Sequence, residues 1–320
     1  MYELDLLVAT MLLLTLWHAT SNGTHQLALA ALCLGILIET LSQRLGGTHC
    51  HAPGLVNVSV CSSANSILYY VPWVYSCVMC AGRLTESNSW TFPFVCGLLF
   101  FGMCGVYECQ GPMMGWWLWP QADKVVKGGV SMWRLGQHGS DERGLVVSDH
   151  AFEALSVRVF GVPALAPYFH FAFGWGIAVA FQARVRWDLP FGSMLPVLCG
   201  PTLGLFWELP VRVLEALLGA NKLAITMAVM ACAVSVTFFA GAALKHSPRF
   251  DPLLFASPLV NGAFFFLHAL IGRGASILPG ELKLFVLCVA SCATIAFARA
   301  CGLFTPVGTK LDLREERFMC

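Results

Sequence analysis

Nine apolar runs set the constraint on this chain. They lie at about 3–20, 26–43, 64–83, 92–109, 163–183, 191–211, 223–244, 252–272 and 281–303. An α-helix rises about 1.5 Å per residue, so about 20 apolar residues match a hydrocarbon core about 30 Å thick. Only 12% of the 320 residues are charged, against 57% hydrophobic. Soluble domains carry about 25% charged residues, so this chain has too little polar surface to cover a water-soluble globule of its size. The pattern predicts an all-α, polytopic transmembrane helical bundle of about nine spans, with a range of seven to nine. One integral-membrane domain accounts for residues 1–320, with a polar loop at about 120–160 and a short polar tail at about 304–320.

Several function classes drop out. A net charge of +1 and the lack of a basic run argue against nucleic acid as a partner. There is no dinucleotide fingerprint and no phosphate-binding loop, and no cofactor is expected. The bilayer itself is the expected partner, with a hydrophobic lipid or isoprenoid as ligand; the oligomeric state is not legible. Most of the 14 cysteines sit inside apolar runs, where a thiol packs as a small hydrophobe. Cys77-Val78-Met79-Cys80 has redox-motif spacing, but its helical, apolar setting favours packing. The first run is preceded by Glu3 and Asp5 rather than a basic segment, so it reads as a retained helix. The run 191–211 holds Pro196, Pro201 and Pro210 and should be kinked or broken.

Acids near the hydrocarbon carry the functional signal, because a charge at the bilayer centre costs about 2.5–3.5 kcal/mol on insertion scales. Glu108 follows a charge-free run and precedes Gly111-Pro112, read as a break. Desolvated there, it could act as a general acid. Glu39 stands near the end of the second run, either facing the interior or reaching water at the helix end. Trp116, Trp117 and Trp119 follow Glu108, with Asp123 beyond. They are either headgroup anchors or the walls of a site that stabilises a cation or stacks on a polyene. His170 lies among Pro167, Tyr168, Phe169, Phe171, Gly174 and Trp175, which suits either a satisfied core histidine or a cavity wall with a proton-transfer group. Glu108, Glu39, His170 and Asp123 are therefore the candidate catalytic groups, and Trp116, Trp117, Trp119 and Tyr168 the candidate substrate contacts. His49-Cys50-His51 is a weak metal signal. Zinc needs further ligands, and a solvated glycine-rich loop is the plainer reading of His51. His268 reads as packing. Glu208 and Arg212, at i and i+4, can pair on one helix. Two sequons, Asn22-Gly23-Thr24 and Asn57-Val58-Ser59, flank the second run and cannot both be luminal.

The motif order resembles a family of polytopic membrane proteins without an assigned activity. The matching residues are Glu39, His51-Ala52, Pro72, Tyr75, Glu108, Trp116-Trp117-Leu118-Trp119, Asp123 and Phe169-His170. The resemblance covers about residues 10–180, and the tryptophan block is its specific part. More distantly, the chain resembles the carotenoid-biosynthesis membrane hydratases through Glu39, Glu108 with Pro112, Trp117-x-Trp119 and Gly161-Val162-Pro163. It departs from them in carrying glutamate at 108 in place of aspartate, and Ala164-Leu165-Ala166 where asparagine follows the Gly-Val-Pro. The resemblance implies a lipid- or isoprenoid-modifying enzyme with an intramembrane acidic site, in which water adds to a polyene. A transporter or lipid-binding protein without catalysis is the alternative, and a zinc-dependent lipid hydrolase built on His51, His170 and Asp123 a further one. In the first reading, Glu39, Glu108 and His170 face one interior cavity.

Overall fold

The computed structural model describes residues 2–41, 50–59, 62–118, 125–127, 145–147, 158–159, 162–163, 166–187 and 249–304, with isolated positions between 213 and 235. Helices dominate. They are α1 (Glu3–Ser21), α2 (His25–Leu41), α3 (Ala64–Leu84), α4 (Phe92–Met114), α5 (Ala166–Arg186), α6 (Pro252–Leu270), a four-residue α7 (Gly274–Ile277) and α8 (Gly280–Ala300). Four of them, α1, α4, α6 and α8, are long and apolar enough to cross a membrane.

Seven of the nine apolar runs thus coincide with long helices. The run 191–211 lies outside the described residues, as do Glu208 and Arg212. Of 223–244 only isolated positions are described, all helical. Short strand pairs join the helices: β1 (Cys50–His51) with β4 (Trp117–Leu118) and β2 (Asn57–Ser59) with β3 (Ser62–Ser63). The polar loop is described only at 125–127, 145–147 and 158–159, where short strands form; β5 (Val125–Lys127) pairs in parallel with β6 (Leu145–Val147). The C-terminal tail beyond 304 lies outside the described residues.

Polar side-chain contacts gather at two ends of the helical bundle, joined at one by Asp5 with Asn65 and at the other by His18 with Asp251. α4 and α5 approach closely because glycines face bulky rings. A β-carbon on Gly97 would stand 2.8 Å from the Phe171 ring, and one on Gly174 2.6 Å from Phe100 Cβ. Small residues commonly permit such approach between apolar helices. Deeper in the bundle, Asn261 of α6 ties three helices together. Its Nδ2 donates to the Met103 carbonyl at 3.1 Å, and its Oδ1 accepts from Tyr69 Oη at 3.0 Å.

One end is organised by Asp251. This residue caps α6, accepting from the Leu254 amide at 3.0 Å, with Pro252 in the first turn. Its Oδ2 lies 3.0 Å from His18 Nε2 and 3.3 Å from Arg83 Nη1. His18 Nδ1 meets Tyr75 Oη at 2.7 Å. Arg83 also donates to the carbonyls of Ala300 and Arg249. Partial burial would raise the Asp251 pKa, but hydrogen bonds from His18 and Leu254 and the charges of His18 and Arg83 outweigh it, holding the carboxyl below its usual value. Cys77 and Cys80 are fully buried nearby, and Cys80 Sγ lies 3.7 Å from Cys301 Sγ. The sequons sit at opposite ends: Asn22 follows α1 at this one, and Asn57 is exposed at the other.

Candidate functional site

The opposite end holds the candidate site, built on the last turns of α4. Cys104 and Glu108 are four residues apart and share a helix face. Cys104 Sγ lies 3.7 Å from Glu108 Oε1. α5 starts beside this turn and brings His170 Nε2 to 2.8 Å from the same oxygen. Trp73 of α3 meets the His170 ring edge-on at 5.4 Å between centroids. Its own indole donates to the Phe100 carbonyl at 3.1 Å, which orients it. Glu108 is only 8% exposed. Its Oε2, and Nδ1 of His170, are buried and have no hydrogen-bond partner among the described residues.

Residues Gly111-Pro112 do not end the helix as the sequence pattern suggested. α4 continues through Pro112 to Met114 and stops at Gly115, whose φ of +70° is readily reached without a side chain. The amides of Gly115 and Trp116 then return to the carbonyls of Pro112 and Gly111, a common helix ending. Pro112 has no N–H, so the Glu108 carbonyl loses its usual helical partner.

A second glutamate–histidine pair lies on the next face. Glu39, at the end of α2, is 3% exposed. Its Oε2 accepts from Ser62 Oγ at 3.2 Å and lies 3.5 Å from His51 Nε2. His51 Nδ1 in turn meets Tyr107 Oη at 3.2 Å. Tyr107 precedes Glu108 in α4, so this contact ties the second pair to the helical turn that carries the first.

His51 is not solvated, contrary to the plainer reading of its loop. It is 8% exposed. It sits on β1 (Cys50–His51), which pairs antiparallel with β4 (Trp117–Leu118), placing His51 opposite Trp117. The strand pair folds back over α4. Trp117 stacks on Tyr107 with centroids 5.9 Å apart and planes 11° from parallel. Gly111 makes room for it: a β-carbon there would lie 1.8 Å from Trp117 Nε1.

Neither of these tryptophans is a lipid-facing anchor, for Trp116 and Trp117 are both buried. Trp116 Nε1 donates to Glu3 Oε1 at 3.1 Å. Its ring lies 5.2 Å from that of His268, whose Nε2 is 3.8 Å from Glu3 Oε2. Glu3, Asn65, Ala52, Met114, Trp116 and Arg273 line a cavity of about 230 Å³ beside this group. Trp119 and Asp123 lie outside the described residues, and so does the side chain of Tyr168.

The structure therefore brings Glu108 to His170 and Glu39 to His51, with Tyr107 and Trp117 against His51. Sequence reasoning missed Cys104, Tyr107, Ser62, Trp73 and Glu3. The spacing of Cys104 from Glu108 was the one available signal; the others meet the site only through tertiary folding. Cys104, Glu108 and His170 each offer a ligand atom, and these atoms all lie within 4.8 Å of one another. No family model, no curated protein and no solved structure matches the chain.

Proposed function

We propose that this chain is a multi-pass integral membrane enzyme that uses water to modify a lipid or isoprenoid, with its reactive centre at Glu108 and His170. The observation that carries the reading is their 2.8 Å contact, partly buried, with a buried atom on each partner that has no hydrogen-bond partner among the described residues. Buried polar groups are normally satisfied, and ionisable residues inside a membrane bundle are costly and mark function. Two open valences at such a place are suited to holding a reacting molecule. Aromatic rings of Trp73 and Tyr107 stand close by, an apolar setting suited to a polyene or acyl chain. The Glu39–His51–Tyr107 group supplies further polar contacts from the same region. The resemblance to the carotenoid hydratases through Glu39, Glu108, Pro112 and Trp117 points to the same chemistry.

Nine spans remain the favoured count. α5 ends, and α6 begins, at the Asp251 end: Gln182 of α5 donates to the Ser87 and Ser89 carbonyls there. An even number of crossings must connect them, and the runs 191–211 and 223–244 supply two.

The test is conversion in vesicles. The purified protein is reconstituted in phosphatidylcholine vesicles containing a membrane lipid extract and an acyclic polyene, in heavy-oxygen water. Mass spectrometry should detect a lipid product carrying the label. Glu108→Gln should lower its formation by about 100-fold or more, the range expected for loss of a positioned polar catalytic group. Unchanged conversion by Glu108→Gln would refute the reading. Glu108-dependent movement of a solute without any labelled product would replace it with transport.

A further inference from the structure

The geometry points to a zinc-class metal centre at Cys104, Glu108 and His170, with the fourth position open. This deepens the proposed function, resting on the reading of the same cluster as the reactive centre.

Three donor types meet at this point. A thiol, a carboxylate and an imidazole are the ligand set that zinc accepts, and three protein ligands with an open fourth place are the pattern of catalytic rather than structural zinc. Bond lengths of about 2.3 Å to sulfur and about 2.0–2.1 Å to nitrogen or oxygen give tetrahedral edges of about 3.3–3.5 Å. The Cys104 Sγ to Glu108 Oε1 distance of 3.7 Å is close to such an edge. The Glu108 Oε1 to His170 Nε2 distance of 2.8 Å is a hydrogen bond. An ion replacing the shared proton would open it by about 0.5 Å, within the reach of side-chain adjustment. All three ligand atoms already lie within 4.8 Å of one another, and Cys104 and Glu108 are buried.

Charge gives a second argument. One thiolate and one carboxylate carry −2 together, a neutral imidazole adds nothing, and a divalent ion brings the sum to zero. A neutral complex suits a low-dielectric interior, where an uncompensated carboxylate is expensive. Metal binding also explains why a cysteine would stand here as a ligand, because an ion deprotonates a coordinating thiol outright. The Trp73 ring against His170 and the indole bond to the Phe100 carbonyl hold the imidazole in place, and oriented ligands are what a tuned metal site requires. Water at the fourth position would be the reactant that the proposed function needs.

Metal content is the measurement, and it needs no knowledge of the substrate. The full chain is purified in detergent from zinc-supplemented cells and examined by elemental analysis. About one zinc per chain is expected. Cobalt(II) substitution should give a thiolate-to-cobalt charge-transfer band. Cys104→Ser should abolish the band, and Cys104→Ser, Glu108→Gln and His170→Gln should each weaken binding by at least about 100-fold, judged against the loss caused by changing mere supporting groups. Cys77→Ser alters a buried thiol outside the cluster and should keep the metal, which controls for general damage. A monodisperse, cooperatively unfolding protein that takes up no zinc or cobalt would overturn the proposal, as would full metal retention by Cys104→Ser and His170→Gln. The two readings fail separately. A metal-free protein whose lipid conversion still depends on Glu108 keeps the enzyme and loses the metal. A protein that binds zinc through the three residues, with conversion indifferent to Glu108→Gln, keeps the metal and loses the enzyme.

Discussion

Asp251 offers the cleanest perturbation, because it lies at the end of the bundle away from the candidate site. Its carboxylate does two things that two substitutions separate. It caps α6 through the Leu254 amide, and it carries the charge facing His18 and Arg83. Asparagine caps a helix about as well as aspartate, whereas alanine forfeits about 1 kcal/mol. Hydrogen bonds to charged groups contribute about 1.5–3 kcal/mol when buried. Here the Asp251 and Arg83 side chains are 22% and 21% exposed, so solvent screening trims the charge contribution to about 1 kcal/mol. Asp251→Asn should therefore cost about 1 kcal/mol and Asp251→Ala about 2 kcal/mol. The assay is reversible denaturation of the detergent-solubilised protein as a function of pH. The Asp251 pKa is held below its ordinary 3.8, so the wild-type advantage over Asp251→Asn is fully present above that value. It shrinks as the pH falls through the depressed folded-state pKa. An advantage that grows as the pH falls below 3.8, or a rank order in which Asn is as damaging as Ala, would refute the reasoning.

Two further changes probe how the site is built. Gly111→Ala places a β-carbon 1.8 Å from Trp117 Nε1; the indole must leave Tyr107, at a cost of about 1–3 kcal/mol, and a shift in tryptophan fluorescence should report it. Asn261→Leu takes away the Tyr69 hydroxyl's shorter hydrogen bond, leaving it the Met103 carbonyl at 3.3 Å, and should cost about 1–3 kcal/mol. Tyr69→Phe made on top of it should then cost less than Tyr69→Phe alone, and strict additivity in a double-mutant denaturation cycle would show that the two groups do not interact.

Legibility followed cost. Glu39 and Glu108 stood out because an acid inside an apolar run needs an explanation, and both are buried beside histidines. Cys104 was passed over because a thiol among apolar residues reads as packing, although its four-residue offset from Glu108 was in plain view. His51 was misplaced because glycines around it suggest a solvated loop. What buries it is β4, whose pairing with β1 joins residues nearly seventy positions apart and has no local signal. Pro112 suggested a break in α4, yet Trp117 packed over Gly111 and the ordered ending at Gly115 carry the helix past it. His18, Asp251 and Arg83 were invisible as a group, for their contacts span 233 and 168 residues.

The distribution of polarity along α4 ties these observations to function. Its first half, from Phe92 to Met103, is apolar and packed against α5. Cys104, Tyr107, Glu108 and Gln110 then follow within two turns. Each carboxylate of the region is matched by a histidine from a different element, Glu108 from α5 and Glu39 from β1. Such pairing lowers the penalty of burial without removing it, and the open Glu108 Oε2 shows that it is incomplete. A fold selected for stability alone would be served as well by apolar side chains of similar volume at these positions. An acid near the end of a membrane helix costs less to bury than one at its middle; α4 carries Glu108 about two turns from its end at Met114, and that end lines the Glu3–Trp116 cavity.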